Sequence, residues 1–435
     1  MTRGNLSRRG FVQQSVGSLV AAGLPMWFAR EVFSSEEARA ASTRKLGPND
    51  KIVMGAIGTG SQGTGDMKEL RKRGAEFIAV CDVDARHRAG AVKALGGKVD
   101  EYSDFRELLD RKDIDAVTVV TPDHWHALIA IEAMKKGKDI YCEKPLTLTV
   151  AEGQAMLRAS AAANHPVFQT GSQQRSDSRF RLACELVRNG RLGELKTIET
   201  RIGDNPKKGP FKTASVPQEL DWNFWLGQTP EVEFVPERCH YEFRWWYEYS
   251  GGKVTDWGAH HNDIAQWALG MDESGPVEVE SESTEPLKDP NCYNCPPHFT
   301  ITYTYANGVK LKCMSDGENG VKFEGEKGWI FVDRGKINAS DKALLDEPLP
   351  KDATKLYVSN DHMRNFLDCI RDRQKTICPV EVGFRSVTVC HIGNISMRLG
   401  GWHLKWDPVK ETFFGDALAN EMLSRPMRAP WKLDV

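Results

Sequence analysis

From residue 51 to 174, short apolar runs alternate with longer stretches in which apolar residues return every third or fourth position. The runs 52–57, 77–82, 116–121, 139–142 and 167–170 predict strands, and 64–73, 85–95, 105–111, 125–136 and 150–164 predict helices. Near-continuous apolar strands separated by helices predict a parallel sheet covered on both faces. Beyond 174 the pattern changes. A helix over 180–189 is followed by alternating strands at 197–202, 277–281, 300–306, 309–315, 320–324 and 328–333, with Asn307-Gly308 as a tight turn. Helices at 361–371 and 384–399 close the pattern. The expected fold is α/β: a doubly wound parallel sheet over 50–174, then an α+β domain with a large, open, mainly antiparallel sheet over 175–400. Residues 401–435 are expected to form a wrapping tail.

The 435 residues suffice for two cores, and 40% apolar with 27% charged residues is ordinary for a globular enzyme. A net charge of −2 gives no basis for a nucleic-acid or anionic-membrane partner. Residues 1–42 read as a twin-arginine export signal: Ser7-Arg8-Arg9-Gly10-Phe11-Val12, a modest apolar region over 16–28, and Ala38-Arg39-Ala40 as a cleavage site. The first forty residues are then not part of the fold. The mature protein begins near Ala41, is periplasmic or otherwise exported, and has no membrane span. A basic amphipathic helix is the alternative. Of ten cysteines, Cys292-x-x-Cys295 stands out as a local disulfide or a loop coincidence; with no second pair at metal spacing, no metal is expected.

Where the first strand meets the first helix lies Gly58-Thr59-Gly60-Ser61-Gln62-Gly63. The first glycine permits a tight turn, the second lets backbone approach a pyrophosphate, and the third lets the helix pack on its strand. The helix N-terminus then offers unpaired N–H groups to the phosphates. The second strand ends at Asp82, about twenty residues on, where a carboxylate grips ribose hydroxyls and repels a 2′-phosphate. NAD is therefore expected over NADP.

Ligands of such sheets bind beyond the carboxyl ends of the strands. Those ends carry Thr121-Pro122-Asp123-His124-Trp125-His126, Glu143-Lys144-Pro145 and Gly171-Ser172-Gln173. Thr121, Pro122, His126, Glu143, Lys144 and Gln173 thus share a rim with the glycine loop. Farther on, Asp256, His260 and Asp263 follow Gly251-Gly252 on a predicted helix with Thr255 as candidate N-cap. Their i, i+4 and i+7 spacing sets the imidazole between two carboxylates on one face, an arrangement suited to proton exchange, with a structural capping cluster as the alternative. Trp222, Trp225, Arg244, Trp245 and Trp246 form an aromatic patch with one guanidinium, suited to sugar rings or to core packing. Arg244, Trp245 and Asp263 are the candidate substrate contacts.

The glycine loop ending at Asp82, Thr121-Pro122-x-x-x-His126, Glu143-Lys144-Pro145 and Gly251-Gly252…Asp256-x-x-x-His260 occur in this order. From about residue 50 onward the chain resembles the Gfo/Idh/MocA oxidoreductases, which include glucose–fructose oxidoreductase and inositol dehydrogenase. The resemblance implies an NAD(P)-binding Rossmann domain and a second domain whose sheet mediates dimers or tetramers. It also implies Lys144 near the nicotinamide, His260 as acid/base supported by Asp256, and Gln62, Thr121 and His126 in the cofactor rim. The expected activity is hydride transfer between a secondary alcohol of a sugar, glycoside or cyclitol and a tightly held nicotinamide cofactor. Two alternatives stand beside it: redox-neutral glycoside hydrolysis through a transient 3-keto sugar, and a non-catalytic NAD- or sugar-binding protein.

Overall fold

A computed structural model describes residues 8–42 and 51–435. Six parallel strands form the first sheet: β1 Val53–Ile57, β2 Glu76–Cys81, β3 Asp100–Tyr102, β4 Ala116–Val119, β5 Asp139–Cys142 and β6 Phe168–Thr170, in the order β3-β2-β1-β4-β5-β6. The order reverses at β1, so a crevice opens between the ends of β1 and β4. Register pairs Ile57 with Cys81 and Val119, Val119 with Cys142, and Cys142 with Thr170. The residues that follow each strand therefore lie in one row along the carboxyl edge.

The second sheet has nine strands: β7 Leu195–Arg201, β8 Glu278–Ser283, β9 Phe299–Thr304, β10 Lys310–Met314, β11 Gly320–Gly325, β12 Gly328–Asp333, β13 Lys336–Ala339, β14 Leu404–Asp407 and β15 Thr412–Phe413. Its pairings are antiparallel except for β7 with β10. Strands β3, β13, β14 and β15 are too short or too polar to stand out in the apolar pattern. The segment expected as a wrapping tail adds β14 and the edge strand β15 to the sheet before Trp431 packs on Phe105 and Trp125 of the first domain. Helix His362–Asp372 also returns to the first domain, placing Met363, Phe366 and Leu367 in one apolar cluster with Met54 and Met67.

Phe28, Ala29, Val32 and Phe33 of helix Met26–Ser42 form a buried stripe with helical spacing. Trp27 Nε1 donates to the Leu345 carbonyl at 2.9 Å, and Glu31 pairs with Arg181 at 3.2 Å and Lys355 at 2.8 Å. Here the structure differs from the expectation that the first forty residues stand apart from the fold: this apolar stripe covers the second domain. Ser7 of the expected export motif lies outside the described residues. No described helix is long and apolar enough to cross a membrane.

Candidate active site

A cleft of about 1010 Å³ runs along the carboxyl edge of the first sheet and is closed on its far side by the second domain. The glycine loop forms its floor. Gly58 has φ +80°, and a side chain there would strike the Val120 backbone; one at Gly63 would strike the Gly58 carbonyl. A side-chain carbon added at Gly60 would come no closer than 3.6 Å to its nearest neighbour, the His87 ring, so its outer face is open to a ligand. Helix Ser61–Lys72 begins at Gly60 with no side-chain cap, which leaves its N-terminal N–H groups to donate to an anion. Asp82 Oδ2 accepts from Thr59 N at 2.7 Å, tying the acid expected at the ribose to the loop. These features fit a dinucleotide, with Gly58 to Gly63 around the pyrophosphate and Asp82 at the adenosine end.

Lys144 enters from the end of β5. Its Nζ donates to Asp256 Oδ1 at 2.9 Å and to the Asp256 carbonyl at 3.0 Å. Burial works to raise the Asp256 carboxyl, but Lys144 and Arg244 outweigh it and hold the acid below the usual carboxylate range. Arg244 Nε lies 3.8 Å from the other oxygen, Oδ2. The His260 ring lines the same cleft. Burial, then the charges of Lys144 and Arg334, push its pKa well below the ordinary value, and its Nδ1 has no partner among the described residues. The group at the reactive end is thus a cation–carboxylate pair beside a neutral imidazole.

Four expected placements are corrected. His260 is not held between carboxylates. Trp257 breaks the predicted helix into Gly252–Asp256 and Gly258–Leu269, so Asp256 turns to Lys144. Asp263 is not a substrate contact: it is fully buried, bound by Arg175 through two bonds of 2.8 Å and by the Ser386 hydroxyl. Nor is Trp245, whose ring sits in a separate core with Trp222, Trp225 and Trp246, its Nε1 donating to Glu242 at 2.7 Å. His126 is 1% exposed and outside the cleft lining; its ring nitrogens lie 2.8 Å from the Pro145 and Thr121 carbonyls. Burial lowers its pKa to about 4, so the neutral ring donates to one carbonyl and abuts the other. It braces two strand ends instead of touching a cofactor. Thr121, Pro122, Glu143, Gln173 and Gln62 do line the cleft. All ten cysteines are free and buried, and Cys292 and Cys295 are not bridged.

Residues 206–433 match the family described as "Oxidoreductase family, C-terminal alpha/beta domain", and residues 52–171 match its "NAD-binding Rossmann fold". The chain belongs to the Gfo/Idh/MocA oxidoreductase family. Inositol 2-dehydrogenase of Salmonella typhimurium is 26% identical over 182 residues, 40% of this chain and 54% of that protein. Inositol 2-dehydrogenase of Pseudarthrobacter chlorophenolicus is 33% identical over 148 residues, 34% and 44% of the two chains. The chain thus spans about half the length of these curated relatives. Among solved structures, aldose–aldose oxidoreductase from Caulobacter crescentus, complexed with glycerol, superposes with a TM-score of 0.61 at 21% identity, covering 82% of this chain and 99% of that one. The WlbA dehydrogenase from Bordetella pertussis, in complex with NADH and UDP-GlcNAcA, gives 0.62 at 19% identity over 82% and 99%. Both support the fold.

This Gfo/Idh/MocA chain also places in the cleft residues that its sequence did not single out. Asp123, just after Pro122, accepts from the Ser250 hydroxyl, and burial pushes its carboxyl up to about 7. Asp66 joins the expected Glu143 in the lining as a second buried carboxyl; burial raises both, and the Glu143 charge raises Asp66 further. Arg334 arrives from the β12–β13 turn, where nothing in the local pattern marks it. Near the adenosine end, ligand atoms of Asp84, His87 and His240 lie within 4.8 Å of one another. Arg86 already occupies both Asp84 oxygens, at 2.8 Å through its backbone N and 3.0 Å through Nη2. Their scattered positions, one in another domain, hide this cluster from spacing rules.

Proposed function

We propose that this protein interconverts a secondary alcohol and a ketone on a sugar, glycoside or cyclitol. NAD bound in the cleft supplies the hydride acceptor or donor. The observation that carries this reading is the contact between Lys144 Nζ and Asp256 Oδ1 at 2.9 Å, next to the neutral His260 ring. In the oxidative direction His260 takes the hydroxyl proton, burial and then its positive surroundings keeping it unprotonated beforehand. Lys144, held by Asp256, donates a hydrogen bond to the oxygen on which negative charge develops. The decisive experiment follows nicotinamide absorbance with a panel of polyols and glycosides. Lys144→Ala and His260→Ala should each lower turnover by about 10²–10⁴-fold while NADH binding persists. Near-wild-type turnover in both variants would remove the assignment.

Asp123 favours a second reading, redox-neutral glycoside cleavage. Elimination needs a further proton-transfer group, and a buried carboxyl near neutrality supplies one in the same cleft. Aglycone release without net NADH distinguishes it. We also propose export through the twin-arginine pathway, on the Arg8-Arg9 motif, and hence retention of NAD through many turnovers. Cell fractionation and mass analysis of nucleotide released on denaturation test the two points. Self-association through the nine-stranded sheet, as a dimer or tetramer, is tested by light scattering.

A further inference from the structure

Among the described residues Arg334, an exposed residue at the mouth of the cleft, has no ion-pair partner. Its Cζ lies 4.7 Å over the Trp257 ring. With the Gln174 amide oriented so that its nitrogen donates to the His260 carbonyl at 3.0 Å, its oxygen accepts from Arg334 Nε at 3.3 Å. Stacking and one hydrogen bond through Nε thus hold the guanidinium in the cleft lining. Burial lowers its pKa from the ordinary value, against the pull of Asp333, Glu143, Asp256 and Asp177. None of these acids forms an ion pair with it, and three are engaged elsewhere. Asp256 holds Lys144 at 2.9 Å, Glu143 accepts from Gln173 at 2.7 Å, and Asp177 pairs with Arg179 at 2.8 Å. Asp333 is its neighbour in the chain.

A second guanidinium stands nearby. Arg244 lines the same end of the cleft, its Nε 3.8 Å from Asp256 Oδ2, so two guanidinium groups bracket the Lys144–Asp256 pair.

We propose that the substrate carries an oxyanion, received by Arg334 with Arg244 as the second guanidinium at the reactive end. This rests on the sugar-oxidoreductase reading above. A planar fork suits a carboxylate or the oxygens of a sulfate ester through paired N–H donors. The anion has a chemical consequence as well. Arg334 is one of the charges that disfavour the His260 imidazolium, so an anion on Arg334 eases proton transfer to that ring.

The test uses the full-length protein loaded with NADH. Calorimetric titrations compare methyl β-D-glucuronide, methyl glucoside 6-sulfate and neutral methyl β-D-glucoside on wild type, Arg334→Lys and Arg334→Gln. At least one charged glycoside should bind about tenfold or more tighter than the neutral one, a difference typical of charge-assisted hydrogen bonding. A preference for the uronide identifies a carboxylate, and a preference for the sulfate identifies an ester. Arg334→Gln should erase the preference and Arg334→Lys keep part of it, with NADH affinity unchanged as the folding control. Equal binding of neutral and charged glycosides by wild type, a preference that survives in Arg334→Gln, or no binding of any of the three overturns the inference. An anion preference lost in Arg334→Gln, with no hydride transfer to any sugar, supports the oxyanion site and counts against the oxidoreductase reading.

Discussion

Lys144 and Asp256 show how one contact across domains sets the chemistry of a site. Asp256 is engaged by the lysine, so the imidazole of His260, buried and left to cationic neighbours, stays neutral. A base whose pKa lies well below 6.5 is deprotonated throughout the neutral range, and rate is lost only as pH falls through that lowered value. The acid limb of kcat/KM should therefore have its midpoint below pH 6.5, and Arg334→Gln should move it upward by removing one repelling charge. A wild-type limb above that value, read from pH–rate profiles, would assign the proton to another group.

Elements meet in this fold through buried polar joints as much as through apolar faces. Arg175, following β6, grips Asp263 on helix Gly258–Leu269 and also Asp272 beyond it at 2.7 Å, while its guanidinium lies 5.1 Å over the Trp267 ring. Arg175→Met should lower unfolding free energy by about 3–5 kcal/mol, because it strands a fully buried carboxylate. Urea unfolding measures this directly. Restoring apolar packing with Arg175→Met plus Asp263→Leu should recover part of that loss. The spacing of Asp263 from His260 was legible, yet it misled, since helical periodicity reports a shared face and not the partner that covers it. Similarly, His126 matched a motif position at the cofactor rim, but its ring turns inward to brace the Thr121 and Pro145 carbonyls.

At the scale of the molecule, six buried histidines are held neutral. Burial lowers His124 and His391 to about 3, His126, His261 and His362 to about 4, and His260 well below its ordinary value. The unfolded chain binds their protons below about pH 6.5 and the folded chain does not, so their contribution to stability is lost as pH falls from there. Asp123 and Glu152, raised to about 7 by burial, act in the opposite sense: their stabilisation is present at low pH and lost as pH rises toward 7. Asp66 and Glu143, also raised by burial, oppose the histidines in the same way. With six groups against four, the melting temperature should fall between pH 6.5 and 4.5, as scanning calorimetry would show. A flat or rising profile would mean that the carboxyls dominate.

The first sheet, its glycine turn, Asp82 and the strand-end residues were legible in the sequence, because a strand buried on both faces and a turn that only glycine can make are constraints written locally. So was the change to an antiparallel sheet after residue 174. The contact of Lys144 with Asp256 was not, because the helix break at Trp257 turns that carboxylate away from His260. Nor were the arrival of Arg334 from a distant hairpin, the inward turn of Trp245 and the docking of Phe28 and Val32. Each depends on which surfaces remain uncovered once both sheets have formed, a property of the packed molecule and not of any segment read alone.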